Sequence, residues 1–203
     1  LAGQSLRLWF ADDFGEDLLM NIADQDIYYW DASLGVNARA VPLSSLAGAS
    51  DVPTVARKVL VSEVDRHVLC FGANPIGEST QDPLLIRWSS QESPTDWTPT
   101  ATNTAGDIRL SQGSEIVTAL RTTRQILVWT DHSLHSLQFL GPPYTFGTAL
   151  LGDNIRIAGP NAAISVNDIV FWMGQENFYM YDGRIQPIPC SVSQYVFSDI
   201  NRN

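Results

Sequence analysis

The sequence from Ile164 to Pro189 reads ISVNDIVFWMGQENFYMYDGRIQPIP, and it decides the fold class of the chain. Short runs of β-branched and aromatic residues alternate here with the polar pairs Asn167-Asp168 and Asp182-Gly183 and with the segment Gly174 to Asn177. Apolar runs separated by such polar pairs are typical of an antiparallel meander. The stretch therefore predicts four short strands in one small sheet, joined by tight turns.

The same order of apolar run, polar turn and aromatic run recurs along the chain, with the second runs in register at Leu18, Val68, Ile126 and Ile169. Units of roughly 40 to 50 residues with four short strands each are typical of propeller blades. We therefore predict an all-β fold, a single β-propeller or propeller fragment over residues 1–203, built of four-stranded antiparallel blades. The candidate blades are 6–50, 55–100, 108–152 and 155–192.

Aromatic residues late in each third run are expected to fill the wedge between neighbouring blades, namely Tyr28 to Trp30, Trp88, Phe139 and Tyr179 to Tyr181. A β-sandwich or barrel also uses short strands at regular spacing and remains an alternative. The longer period and the four-part units favour the propeller. Four blades is the low end for a closed ring, so either Leu6 to Phe10 completes the last blade or the chain is part of a larger ring.

Three further segments carry structural predictions. Asp12 to Asp17 is expected to form an acidic turn after the first strand. Residues 32–55, rich in small residues and proline, are expected to form a long exposed connection. Within 191–203, Val192, Tyr195, Val196 and Ile200 have helical spacing, which predicts one short helix followed by a tail.

The charge of the chain excludes some partners. There are 22 acidic and 12 basic residues, the net charge is −10, and Lys58 is the only lysine. Tight non-specific binding of nucleic acid needs clustered Lys and Arg, so this composition argues against it. It suits a surface along which a polyanion slides without sticking. Because no apolar run approaches the roughly 18 residues of a membrane span, we expect no membrane partner.

The two cysteines, Cys70 and Cys190, are too few and too far apart for a disulfide framework or a metal knuckle. Cys70 lies in the apolar run from Val68 to Phe71, where a buried free thiol is the favoured interpretation.

Several clusters of polar residues are candidate sites, and a structural role accounts better for each of them. In Asp131 to His135 the two His need not converge on a metal, and no nucleophile elbow accompanies them. The acidic cluster in Asp12 to Asp17 (Asp12, Asp13, Glu16 and Asp17) lacks the ligand ladder of a calcium loop. Ser93 to Trp97 resembles only part of the aspartate turn of sialidase blades. We therefore expect no catalytic residues, no metal site and no cofactor.

Carbohydrate remains the alternative ligand class, since propellers often host glycosidases, which need two carboxylates about 5 to 9 Å apart. Trp88 and Trp97 flank a polar segment and could form an exposed platform for a glycan or a partner. An edge turn held by a buried indole is at least as consistent with this pattern.

Several of these runs resemble sequences in structural proteins of tailed bacteriophages. The resemblance lies in Phe14 to Leu19, Ile27 to Asp31, Arg87 through Trp97, Leu127 to Thr130 with Ser133-Leu134, and Asn177 to Gly183 with Gln186 to Ile188. It spans most of the chain and points to the tail tubular or nozzle proteins of short-tailed phages, and to prophage proteins of similar propeller type.

The resemblance implies a non-enzymatic virion component, a tail or head–tail connector protein that assembles in the host cytoplasm. Such proteins contact other tail proteins and form rings, commonly sixfold, around the channel through which DNA is ejected. No functional residues transfer with the resemblance, because the role of these proteins depends on assembly surfaces. The family members are longer, which predicts that this chain is part of a longer protein.

Overall fold

The computed structural model describes residues 7–200, and within them the chain forms four antiparallel four-stranded sheets and one α-helix. The first sheet contains β1 (Trp9–Phe14), β2 (Asp17–Ile22), β3 (Ile27–Trp30) and β4 (Val41–Pro42). The second contains β5 (Lys58–Val61), β6 (Val68–Phe71), β7 (Leu85–Trp88) and β8 (Gly106–Arg109). The third contains β9 (Ile116–Arg121), β10 (Ile126–Thr130), β11 (Ser133–Gly141) and β12 (Thr145–Asp153). The fourth contains β13 (Ala163–Val166), β14 (Ile169–Met173), β15 (Phe178–Tyr181) and β16 (Ile185–Ile188), and α1 (Ser193–Asp199) follows it.

Each sheet is a simple meander, in which every strand pairs with the next strand along the chain. The all-β class is therefore confirmed. The stretch that opens at Ile164 forms the four predicted strands of the fourth sheet, and the four aligned positions each lie in the second strand of a sheet. The predicted helix is confirmed as α1, where Phe197 packs on Phe178 at a ring distance of 5.1 Å.

The structure changes the boundaries of the first sheet. β1 extends to Phe14 and β2 begins at Asp17, so most of the predicted acidic turn is strand and the turn itself is Gly15-Glu16. The reason is alternation, because Phe10 and Phe14 are buried on one face while the residues between them include exposed positions. The predicted strand start at Leu6 lies outside the described residues.

Two other segments fold differently from the expectation. The connection 32–55 is not wholly exposed, since it supplies β4 and buries Leu43 completely. The second sheet takes its fourth strand from Gly106–Arg109, beyond the predicted limit of 55–100. Neither segment has an apolar run that would mark it as a strand, because β4 has two residues and β8 reads Gly-Asp-Ile-Arg.

The chain divides into two compact units. The first unit runs to Ser111 and includes Gly141–Thr145, and the second comprises Gln112–Leu140 and the chain from Phe146 onward. Within each unit the sheets approach each other along their first strands, β1 beside β5 in the first unit and β9 beside β13 in the second. Across residues 7–200, no helix has the length and apolar content that a membrane crossing requires.

The core of the first unit lies between the first and second sheets and is mainly aliphatic. Its members include Leu19, Ile27, Val59 and Val68, and Cys70 is buried among them as a free thiol, as predicted. Burial raises the pKa of this thiol to about 12.

Buried polar side chains join these two sheets. Asn21, which is fully buried, donates to the carbonyl of Ala56 at 2.9 Å and accepts from the backbone N–H of Val59 at 3.1 Å. Asp12 on β1 accepts from the backbone N–H of Val61 at 2.8 Å. The neighbouring strands are thus connected by side chains that replace a backbone ladder.

Arg87 on β7 is 2% exposed and fixes two loops of the same unit. Its guanidinium donates to the carbonyl of Asp51 at 2.6 Å and to that of Asn74 at 3.1 Å, and it lies 6.0 Å from the ring of Trp97. Desolvation by burial lowers the pKa of Arg87 from its ordinary value.

The core of the second unit contains two tryptophans among aliphatic side chains. Trp129 and Trp172 meet edge to face at 5.6 Å, and Tyr179 stacks on Trp172 at 5.3 Å. Among the described residues, neither indole N–H has a hydrogen-bond acceptor, although both are buried.

The third-strand aromatics divide between two environments. Tyr29 and Tyr179 pack against the clusters between sheets, as the wedge prediction requires. Phe139 is 41% exposed and instead contacts Phe146 on the neighbouring strand. The prediction is therefore confirmed for part of the set only.

Candidate functional site

A polar cleft of about 300 Å³ opens in the second unit, and we refer to it as the Tyr179 cleft. Two segments that are distant in sequence line it. The loop between β12 and β13 contributes Asn154 and Arg156, and the turn between β14 and β15, with the start of β15, contributes Gln175, Glu176 and Tyr179.

The Tyr179 ring that lines the cleft is held in place by its neighbours. Tyr179 lies directly opposite Trp172 in the β14–β15 pair, and the two rings stack with only 18° between their planes. A Cβ at Gly174 would stand 2.7 Å from the Tyr179 ring, so only glycine at this position leaves the ring where it is. The half-buried ring therefore has a defined position in the cleft.

Arg156 is positioned by two acceptors. One terminal nitrogen of its guanidinium donates to Oε1 of Gln175 at 3.1 Å, and the other donates to Nδ1 of His132 at 3.0 Å. Because Nδ1 of His132 accepts this bond, the neutral ring carries its proton on Nε2. A guanidinium has five N–H groups, so the fixed fork keeps donors for a ligand.

The cleft combines one cation, one carboxylate, two amides and one phenol ring. Arg156 and Glu176 have opposite charges, so the lining residues sum to no net formal charge. Fixed donors and acceptors beside an aromatic ring can hold a small polar ligand in one orientation.

A second polar cleft, of about 230 Å³, lies in the same unit near the turns that precede β10 and β14. Its side chains mostly bond to each other. Gln125 donates to the hydroxyl of Tyr181 at 3.0 Å and accepts from Gln138 at 2.9 Å, while Asp168 accepts from the N–H of Thr123 at 2.9 Å. These bonds stabilise the turns, so this cleft is the weaker candidate.

The two predicted His candidates separate in the structure. His132 faces Arg156, whereas His135 is buried with Nε2 at 2.9 Å from the hydroxyl of Ser133. Desolvation by burial lowers the pKa of His135. In the part of the chain that the structure describes, no three His, Cys, Asp or Glu residues are grouped to hold a metal ion.

The acidic residues near the first turn also take structural roles. Asp12 bonds to the second sheet as described above. Asp17 accepts from the hydroxyl of Tyr29 and, at 2.9 Å, from the N–H of Ala32, which fixes the chain after β3. Because these carboxylates engage different partners, they do not form one ligand cluster.

Both members of the predicted tryptophan platform are buried, with Trp88 4% and Trp97 1% exposed. The platform prediction is therefore wrong, and the alternative of a buried indole is confirmed. The Trp97 indole donates to the carbonyl of Pro94 at 2.8 Å, and the Trp88 indole donates to that of Thr104 at 2.8 Å. The partly exposed aromatic wall is Tyr179 instead.

Sequence reasoning missed one arrangement with the order of a hydrolase triad. Nδ1 of His67 lies 2.5 Å from Asp65, and Nε2 lies 2.9 Å from the hydroxyl of Thr104. The imidazole is fully buried, and the Thr104 hydroxyl already accepts from the N–H of Gln91 at 2.8 Å. We interpret these hydrogen bonds as a structural connection between two loops. A catalytic nucleophile must be accessible to its substrate, and this array is buried. Thr104 is too far along the chain for spacing to reveal the array.

In comparisons with known proteins, no family model matches this chain, and no curated protein sequence matches it. A function for this chain is therefore inferred from the geometry of its sheets and clefts and from the resemblance of its runs to phage tail proteins.

Proposed function

We propose that the chain is a β-propeller, or part of one, and serves as a structural, non-enzymatic component of a phage tail or head–tail connector. In this proposal, copies assemble into a ring, sixfold by resemblance, and DNA passes through its channel during ejection. Other tail proteins are its partners in the virion.

The observation that carries the proposal is the side-by-side placement of first strands within each unit. In a propeller, the first strand of each blade lies nearest the axis, and successive first strands are neighbours. The pairs β1 with β5 and β9 with β13 have this relation. Four consecutive meanders with the same strand order give the repetition that a propeller needs.

The use of the polar residues also supports a structural role. Backbone groups of neighbouring strands and loops form hydrogen bonds with the side chains of Asn21, Asp12 and Arg87. Such bonds make assembly of the fold specific.

The charge balance suits a channel for a polyanion. With a net charge of −10 and with Lys58 as the only lysine, the chain offers few contacts for phosphates. Weak contacts allow DNA to pass, whereas clustered cations would retain it.

Mass spectrometry of DNA-containing particles tests the virion role. Particles are purified by density gradient from a lysate of cells that carry the gene, and we expect peptides of this chain in the particle band. Recovery of the chain only in the soluble fraction would overturn the proposal.

The ring is tested separately on the purified full chain. Native mass spectrometry and negative-stain microscopy at micromolar concentration are expected to show a closed oligomer of one size. A gel-shift measurement at low salt is expected to show no stable complex with duplex DNA. A monomer at every concentration, or salt-sensitive tight binding of DNA, would contradict the ring and channel parts.

A further inference from the structure

We propose that the Tyr179 cleft binds a neutral saccharide, one or two sugar units in size. The inference depends on the geometry of the second unit and not on the virion role. A volume of about 300 Å³ is at the lower end for small-molecule sites, which suits a ligand of this size.

Tyr179 supplies a small apolar contact in a cleft whose lining is mainly polar. A sugar ring presents a face of C–H groups, and that face packs against the flat face of an aromatic side chain. Because Trp172 stacks on Tyr179, the ring is already ordered before a ligand arrives. Pre-ordering reduces the entropic cost of binding.

The polar wall supplies paired donors and acceptors. Each hydroxyl of a sugar can donate and accept at once, so neighbouring hydroxyls match a site that has both kinds of group close together. Arg156 supplies fixed donors, Glu176 supplies acceptors, and the amide of Asn154 supplies both kinds of group. Hydrogen bonds to charged groups are the stronger kind, and here they are directional as well.

Charge decides between ligand classes. An anion such as a phosphate or a sialic acid would gain from Arg156 but would be repelled by Glu176, which lines the same cleft. A cation would be attracted by Glu176 but repelled by Arg156. A neutral, hydroxyl-rich ligand uses both residues without repulsion.

The same residues favour binding over hydrolysis. Glycosidases use two carboxylates that flank the scissile bond. Among the lining residues of the cleft, Glu176 is the single carboxylate. We therefore infer a recognition site and not a glycosidase site.

A glycan array probed with the full chain tests the proposal. The array presents neutral gluco-, galacto- and manno-configured oligosaccharides beside matched sialylated and sulfated ones. We expect selective retention of neutral glycans, followed by saturation-transfer NMR signals from the bound sugar. Retention of only the anionic glycans, or no retention at all, would overturn the proposal.

Variants locate the binding site. Glu176→Gln and Arg156→Gln are each expected to weaken binding of the best neutral glycan about tenfold, because each removes a charge-assisted hydrogen bond. The matched control is Arg124→Gln in the second cleft, which is expected to leave affinity within about twofold. Near-UV circular dichroism verifies that each variant keeps its fold.

Two further variants test the aromatic wall. Tyr179→Phe keeps the ring and is expected to retain binding within about threefold, whereas Tyr179→Leu removes the ring and is expected to abolish it. Unchanged affinity in Glu176→Gln and Arg156→Gln, with the fold intact, would place any glycan elsewhere and contradict the assignment. Since these measurements use no particle or ring, they fail or succeed independently of the virion role.

Discussion

In the first unit, buried polar side chains connect two sheets to each other, whereas in the second unit two sheets meet through aromatic rings. Asn21 and Arg87 in the first unit have backbone partners at hydrogen-bond distance. Trp129 and Trp172 in the second unit are equally buried, yet within the described chain their N–H groups have no acceptor. One strand pattern is therefore compatible with two ways of joining neighbouring sheets.

The difference predicts how the stability of each unit responds to replacement of the side chains that join its sheets. A side chain that bonds to a backbone carbonyl is specific, because its loss leaves a buried partner unsatisfied. An aromatic contact without such a bond depends on shape and area, so a smaller ring loses buried area and leaves a cavity but leaves no polar partner unsatisfied. The same aromatic packing leaves the ring of Tyr179 at the wall of a cleft.

Replacement of Arg87 is expected to have the largest effect. Arg87→Ala removes two bonds to carbonyls and the contact with Trp97, and we expect a loss of about 3 to 5 kcal/mol in the free energy of unfolding. Chemical denaturation measures it. Arg109→Ala is the control, because Arg109 is exposed in its pair with Asp82, and it should cost no more than about 1 kcal/mol. Equal losses would show that burial of Arg87 is not the cause.

Replacement of Asn21 tests the connection between β2 and the start of β5. Asn21→Ala leaves the N–H of Val59 without its acceptor and removes one of two donors to the Ala56 carbonyl, which keeps the backbone N–H of Asp24 at 2.9 Å. We expect a loss of about 2 to 3 kcal/mol. The control is Asn37→Ala at an exposed loop position, which should be neutral within about 0.5 kcal/mol. Faster hydrogen exchange at Val59 should accompany the loss. Unchanged exchange there would contradict the role of the side chain.

The pH dependence of stability tests Lys58, whose amine lies 4.9 Å from the ring of Phe10. Desolvation by burial lowers its pKa from 10.5 to about 8. Between these two values the unfolded chain holds a proton that the native chain has released, so stability should rise with pH. A shift of this size corresponds to about 3 kcal/mol, which residual solvent contact reduces to about 2 kcal/mol.

Lys58→Met should remove this rise, and the difference between the two proteins as a function of pH isolates it. NMR of lysine labelled with ¹⁵N offers a direct check, because Lys58 gives the only signal. A midpoint near the ordinary value of 10.5 would contradict the proposed burial.

The smallest expected effect is the difference in stability loss between two tryptophan replacements. Trp97→Phe removes a bond to the Pro94 carbonyl, whereas Trp172→Phe removes an N–H that has no acceptor among the described residues. We expect Trp97→Phe to cost about 1 kcal/mol more than Trp172→Phe, measured by thermal unfolding. Equal costs would mean that ring volume alone decides both.

Much of the fold follows from local pattern. The apolar runs of the fourth sheet are bounded by turn pairs, and both Asn167 and Asp168 adopt the left-handed backbone that such turns need. Strand β8 could not be predicted in this way, because its residues alternate between half-buried and exposed positions and only Ile108 is strongly apolar. Its pairing with β7 is decided by tertiary contact.

The site was less predictable than the fold. Trp97 is buried because its backbone N–H bonds to the carbonyl of Ser50, a contact with a distant segment that local pattern does not contain. The Tyr179 cleft likewise needs residues from two segments, since Arg156 reaches both His132 and Gln175. The sequence indicated Tyr179 only as a ring that fills the space between blades.

The two free thiols differ in how readily a reagent can reach them. Cys70 is sealed in the first unit, while Cys190 is half-buried in the second. An alkylating reagent should therefore modify Cys190 in the native protein and reach Cys70 only when the first unit opens. Mass analysis of peptides after timed pulses would then measure how often the first unit opens, with the modification of Cys190 as the reference for reagent activity in the same sample.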